Sequence, residues 1–207
     1  MVVRSGSEEG QIEMRKRIAN LISNILNPFL LSLAIILLLS FASASSTFDA
    51  IKWAIIAIAL TTLPIFAVVV YLARSDKIDA IFTNIRRQRT QIYLPAGLCS
   101  IVGCITLTYL KAPSILVAVF TAGLSATIIF MCINLWWKIS LHTAFVAASA
   151  TILIMLYGWI ATVTVALVPL TAWARIELEC HSLAQAATGA LLASLIVVVV
   201  FYPLVLA

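Results

Sequence analysis

Charge is what this chain has least of. Only 13 Lys+Arg and 8 Asp+Glu stand among 207 residues, 10% in all, against 63% hydrophobic. A soluble domain carries about 25% charged residues and about 45–50% apolar ones, so a water-soluble globule is excluded, and with it any surface for nucleic acid. No stretch alternates polar and apolar residues as a membrane β-barrel strand would. Acidic residues are missing from every long apolar run, so no ion pathway through the membrane is marked. A Walker A loop is absent, which argues against direct ATP use. The four cysteines form no Cys-x-x-Cys pair: Cys99 and Cys104 share one apolar run, Cys132 lies in another, and Cys180 stands beside His181. That spacing suggests buried free thiols, with neither a disulfide framework nor a metal site; no cofactor is expected. Histidine is scarcer still, with only two.

What is present is a series of apolar runs of membrane-spanning length. At roughly 20 residues per crossing, the chain holds six or seven spans, so the expected class is an all-α, polytopic helical membrane protein. Residues 1–24 form a polar segment whose Ile18, Leu21 and Ile22, with Ile25 just beyond, suit an interfacial helix leading into the first span, and 25–207 form the bundle. Spans are expected from Asn27-Pro28 to Ala44, over 50–73 with a kink at Pro64, and over 92–110, 115–137 and 184–206. The first resembles a signal peptide but reads better as a retained anchor. Residues 143–174 hold 32 residues without charge. One helix of that length would measure about 48 Å against about 30 Å of hydrocarbon, so a hairpin turning at Tyr157-Gly158-Trp159 is expected. Seven crossings put eleven Lys and Arg on one face and only Lys52 and Lys111 on the other. The positive-inside rule makes the rich face, with the N-terminus, cytoplasmic, in a multi-pass protein of the cell membrane.

That face gathers three polar islands. Asp76 to Arg89 carries Lys77, Arg86, Arg87 and Arg89; Lys138 to His142 adds Ser140; Arg175 to Leu183 adds His181 and Ser182. Two imidazoles among several cations and hydroxyls are what phosphoryl chemistry requires: cations hold phosphate oxygens, one ring attacks and the other protonates the leaving oxygen. Each island also has a plainer reading. The arginines suit the positive-inside rule, and Ser182 with Gln185 spells a capping box opening the last helix.

The islands resemble the three motifs of the type 2 phosphatidic acid phosphatase (PAP2) superfamily. Arg175 and His181 keep the Arg-x5-His spacing of its third motif, Ile139-Ser140-Leu141-His142 is similar to its second, Pro-Ser-Gly-His, and 76–89 lies where its first, Lys-x6-Arg-Pro, belongs. The resemblance covers roughly residues 70–195. It implies a PAP2-like bundle in which His181 is the nucleophile that forms a phosphohistidine and His142 the general acid. It further implies that Arg175, Ser140 and Arg86 bind phosphate, with Lys77, Lys138 and Arg89 as further cations. Departures are clear: Asp79 stands in the place of the Lys, Arg87 of the Pro, Ile139 and Leu141 of the Pro and Gly, and Gln185 in that of an Asp four residues after the nucleophile. Gln185 can still face His181 at i, i+4 and fix its tautomer, while Glu177 or Glu179 offers a substitute carboxylate.

The expected activity is thus metal-independent hydrolysis of a lipid phosphate or diphosphate, such as a prenyl diphosphate, with membrane lipids as the other partner. Two alternatives differ in class. One is a Mg²⁺-dependent membrane prenyl or phospho-alcohol transferase using Asp76, Asp79, Glu177 and Glu179 as oxygen ligands. The other is a degenerate lipid-binding relative without turnover.

Overall fold

The computed structural model describes residues 6–78 and 85–206, with side chains from residue 10. Among these every regular element is helical. In order they are α1 (Gly6–Ile25), α2 (Pro28–Ser43), α3 (Thr47–Leu60), α4 (Thr62–Arg74), α5 (Arg86–Tyr109), α6 (Ser114–Asn134), α7 (Leu141–Tyr157), α8 (Leu167–Glu177) and α9 (Leu183–Phe201). A 3₁₀ segment, Gly158–Ala166, joins α7 to α8. Five helical stretches are long and apolar enough to cross a membrane; a sixth is counted when α1 and α2, bent by 40°, are taken as one.

The packing suits helices that could cross a membrane. On α5, Arg89, Tyr93, Ser100, Gly103 and Leu107 face inward, while Leu94, Leu98, Val102 and Ile105 are exposed. Small and polar residues inside with large aliphatic ones outside is stable only where the outside is hydrocarbon. Gly103 marks the closest approach in this part of the bundle, since a Cβ there would collide with the Phe120 ring of α6.

Helix ends follow local chemistry. Asn27 caps α2 by accepting from the Phe29 and Leu30 N–H groups at 2.9 and 3.0 Å, with Pro28 opening the helix. The expected kink of the second span lies at Thr61, between α3 and α4. Pro64 can give no bond to Leu60 and crowds its carbonyl, so the break falls just upstream.

Two sequence expectations meet the structure differently. The stretch 141–177 is continuous in helical residues, yet α7 and α8 pack on each other. His142 and Arg175, near its two ends, line one cavity of about 300 Å³, whereas a straight rod would hold them about 50 Å apart. The reversal sits at Gly158, at φ 65° and ψ −144°, a conformation open to glycine and strained for other residues. The third span needs correction. It starts at Arg86 rather than at residue 92, because the helix continues past the apolar boundary for six polar residues. That extension is what carries Arg89 onto the buried face.

Candidate anion and phosphoryl site

Arg89, His142, Arg175 and His181 are 5%, 4%, 5% and 7% exposed. They come from four places in the chain: the first turns of α5 and α7, the last turn of α8, and the α8–α9 connection. Lys138, half-buried, lies within electrostatic reach of Arg89 and Arg175. His142 is within reach of Arg175, His181 and Arg89.

The connection to α9 defines the state of His181. Ser182 is the N-cap of α9, and its hydroxyl accepts the Gln185 N–H at 3.3 Å, while Gln185 Oε1 accepts the Ser182 N–H at 3.3 Å. Because a backbone N–H can only donate, the atom of Gln185 at that position is the oxygen. The same Oε1 lies 3.1 Å from His181 Nδ1, which must therefore carry the proton. Nε2 is left with its lone pair, and Arg89 Nη2 donates to it at 3.2 Å. Burial first, then the charges of Arg89 and Lys138, pushes the His181 pKa from 6.5 down to about 3. The ring is neutral at pH 7, with the lone pair on the nitrogen that faces the arginine.

Arg89 also donates from Nη1 to Ile139 O at 2.7 Å. The adjoining Ser140 N–H donates to Gln185 O at 3.2 Å, so the 138–140 connection ties α5 to α9. Ser140 caps α7, its hydroxyl 2.8 Å from Thr143 Oγ1. It is brought beside the cluster, but that hydroxyl serves the helix end. Gly189 allows the connection to lie against α9: a Cβ there would stand 2.8 Å from both Ile139 Cγ2 and Ser140 O. Gly189→Ala is expected to cost about 1–3 kcal/mol and to loosen the carbonyl that holds Arg89, seen as a lower melting temperature in detergent.

Arg175 is held from the other side by α1. Its Nη1 donates to Ser23 Oγ at 2.8 Å and the Cys180 side chain lies against the guanidinium, while its buried Nε makes no well-formed hydrogen bond among the described residues. An N–H left so costs about 1–3 kcal/mol or more for a charged group, a cost that an incoming anion removes. Arg89, His142 and Arg175 together supply the guanidinium and imidazole groups of the cavity wall, in which His181, Ser140, Lys138 and Gln185 are not included. Arg89 therefore stands between the cavity and His181 Nε2.

Other expected members lie elsewhere. Lys77 is exposed, its Nζ 5.5 Å from the centre of the Tyr71 ring. Arg86 is exposed at the start of α5, where its carbonyl accepts from Asn134 Nδ2 at 3.1 Å. Helical phase separates Arg86 from Arg89: three residues rotate the side chain by about 300°, and only Arg89 shares a stripe with Tyr93. Sequence reading missed Tyr93 and Ser23. The i, i+4 step from Arg89 to Tyr93 was a legible signal for the first; Ser23 had none. Of the carboxylates invoked for metal binding, Glu177 pairs with Arg15 at 2.7 Å and Glu179 with Lys16 at 3.6 Å, Asp76 is exposed, and Asp79 lies outside the described residues. No group of three or more His, Cys, Asp or Glu side chains among the described residues could hold a metal ion.

These positions rank the cations. Arg89→Gln should weaken binding of vanadate, a phosphate analogue, by about tenfold or more, as expected for a lost charge-assisted hydrogen bond. Lys77→Ala and Arg86→Ala should change it less than about twofold, as exposed charges do.

No family model, curated protein or solved structure matches this chain.

Proposed function

We propose that this protein is a membrane lipid phosphatase or pyrophosphatase that hydrolyses a lipid phosphate or diphosphate, a prenyl one among them, through a phosphohistidine. The observation that carries the reading is the convergence of a neutral His181 with its lone pair on Nε2, a second imidazole, and two buried guanidinium groups beside one cavity. In this reading the substrate phosphate draws Arg89 away from Nε2 and takes bonds from Arg89 and the Nε of Arg175. Lys138 adds charge at close range. The phosphate's own charge raises the proton affinity of both rings, so His142 can hold a proton when substrate is bound.

His181 Nε2 then attacks phosphorus, a P–N bond forms, and the P–O bond to the leaving group breaks as that oxygen takes the proton of His142. Water attacks the phosphohistidine next, giving its proton to His142. The P–N bond breaks with its electron pair returning to Nε2, and inorganic phosphate leaves. Gln185 keeps Nδ1 protonated throughout. The excess of Lys and Arg on the cluster's side orients it to the cytoplasm, and the motif spacing supports the PAP2-like assignment.

A second reading, binding of a lipid anion without turnover, is favoured by one feature: the orienting group is a neutral amide, which cannot stabilise a positively charged phosphoimidazole as a carboxylate does. The test is phosphate release from farnesyl diphosphate by the purified protein in detergent with EDTA, together with acid quenching to trap the phosphohistidine. Release that persists in EDTA and a label on His181 support hydrolysis. Analogue binding without release supports the second reading, and strict dependence on Mg²⁺ would return the transferase.

A further inference from the structure

The cavity does not end at the cations. It continues away from them between α2, α4, α5, α6, α7 and α9, with walls that are mainly aliphatic and aromatic and carry no further charge. The hydroxyls of Ser32, Thr62, Ser100 and Thr127 on them are bonded within the bundle. On α7 it runs from His142 to Ile152, and on α5 from Arg89 to Ser100. Ten and eleven helical residues rise about 15 to 17 Å, close to half of a hydrocarbon core of about 30 Å. Its far end is lined by Ile36, Phe120, Ile152 and Val197, all buried and all members of one apolar cluster. Phe120 is backed by Gly103, which leaves its ring no room to retreat.

We infer that this cavity is a tail site: the protein takes a single-chain lipid phosphate with its chain inside the bundle, and the four residues at the far end set the longest chain accepted. Three observations argue for that occupant. The cations stand at one end only, so a ligand must be charged at one end and apolar along the rest. The depth matches one leaflet's worth of chain. The volume, about 300 Å³, is at the small end of ligand pockets, about 300–1,000 Å³, and two acyl chains need twice the room of one. The inference rests on the proposed reading for the phosphate end alone; the tail site stands whether or not the phosphate is hydrolysed.

The test uses the full chain in lipid nanodiscs and dodecyl phosphate carrying a diazirine at the end of its chain. After irradiation, peptides are mapped for label. The expected result is labelling around Phe120, Ile152 or Val197, suppressed by excess dodecyl phosphate and reduced about tenfold or more by Arg175→Gln. A phosphatidic acid with a diazirine at the same depth should not label them. Label confined to the outward residues Leu98, Ile105 and Leu191 would overturn the inference, as would equal labelling of the far end by the two-chain probe. Ala148, which lines the wall part-way down α7, supplies a second measurement. Ala148→Leu should move the preference from dodecyl towards octyl phosphate by roughly tenfold, the scale of one side-chain step in an apolar pocket; an unchanged preference counts against the ruler. Hydrolysis fails separately: labelling of the far end without phosphate release removes the enzyme and keeps the tail site. Release with outward label only does the reverse.

Discussion

Replacing His181 by glutamine is expected to reduce phosphate release by about 10³-fold or more. The change removes the ring proposed to form the covalent intermediate, and losing a nucleophile costs more than losing any one phosphate contact. Glutamine is chosen because its amide can still meet Arg89, so the buried guanidinium keeps an acceptor. A His181→Ala change would add the separate cost of a buried, unsatisfied donor. Two readouts separate chemistry from folding. The melting temperature of His181→Gln should stay within a few degrees of the parent, and vanadate should still bind, while the acid-trapped phosphohistidine disappears. Release within about tenfold of the parent would show that the attack on phosphorus does not pass through this ring.

The second large effect is a gain. Gln185→Glu keeps the length of the side chain and its capping bond to the Ser182 N–H, but places a carboxylate about 3 Å from Nδ1. An opposite charge at that distance favours the protonated or phosphorylated ring. The His181 pKa should rise from its value of about 3, and release should increase roughly tenfold or more. The scale follows from the serine-protease acid-to-amide change, which costs about 10⁴, less the part already supplied here by an amide that fixes the correct tautomer. The pH dependence of stability gives an independent check. In the parent, the folded-state pKa of about 3 lies below the ordinary 6.5, so the folded protein binds fewer protons than the unfolded chain between those values. This group's contribution to stability is therefore complete above about pH 6.5 and falls as the pH drops towards 3. Raising the folded-state pKa narrows that window, so Gln185→Glu should lose less stability than the parent between about pH 7 and pH 4. Thermal melts in detergent read this directly. A parent with flat acid stability would mean that His181 is not held neutral by burial.

Both expectations depend on Arg89, which illustrates how the sequence misleads by one helical turn. Arg86, Arg87 and Arg89 are alike in composition and all lie in what reads as a polar connection. The helix begins at Arg86, so the three fan around its axis: two are exposed and one is buried against Ile139 and His181. The motif spacing that singled out Arg86 counts residues along the chain, whereas burial follows the angle around the helix. Periodicity carried from Leu107, Gly103, Ser100 and Tyr93 back to Arg89 would have made the distinction.

The linear chain by itself determined the solvent. So many apolar residues in runs this long can satisfy their backbone groups in hydrocarbon only as helices, and that holds whatever the helices pack against. It also made a hairpin the expected reading, since 32 uncharged residues exceed one crossing, and it put Gln185 within reach of His181, though the bond itself forms across the capped start of α9. Tertiary structure alone decided which cation joins the imidazoles and that Ser23 of α1 holds Arg175. The same packing put Arg89 in front of His181 and Phe120 at the far end of the cavity. Each of these depends on how helices distant in sequence are rotated against one another. That rotation is set by side-chain packing summed over many contacts, none of which is written in local spacing.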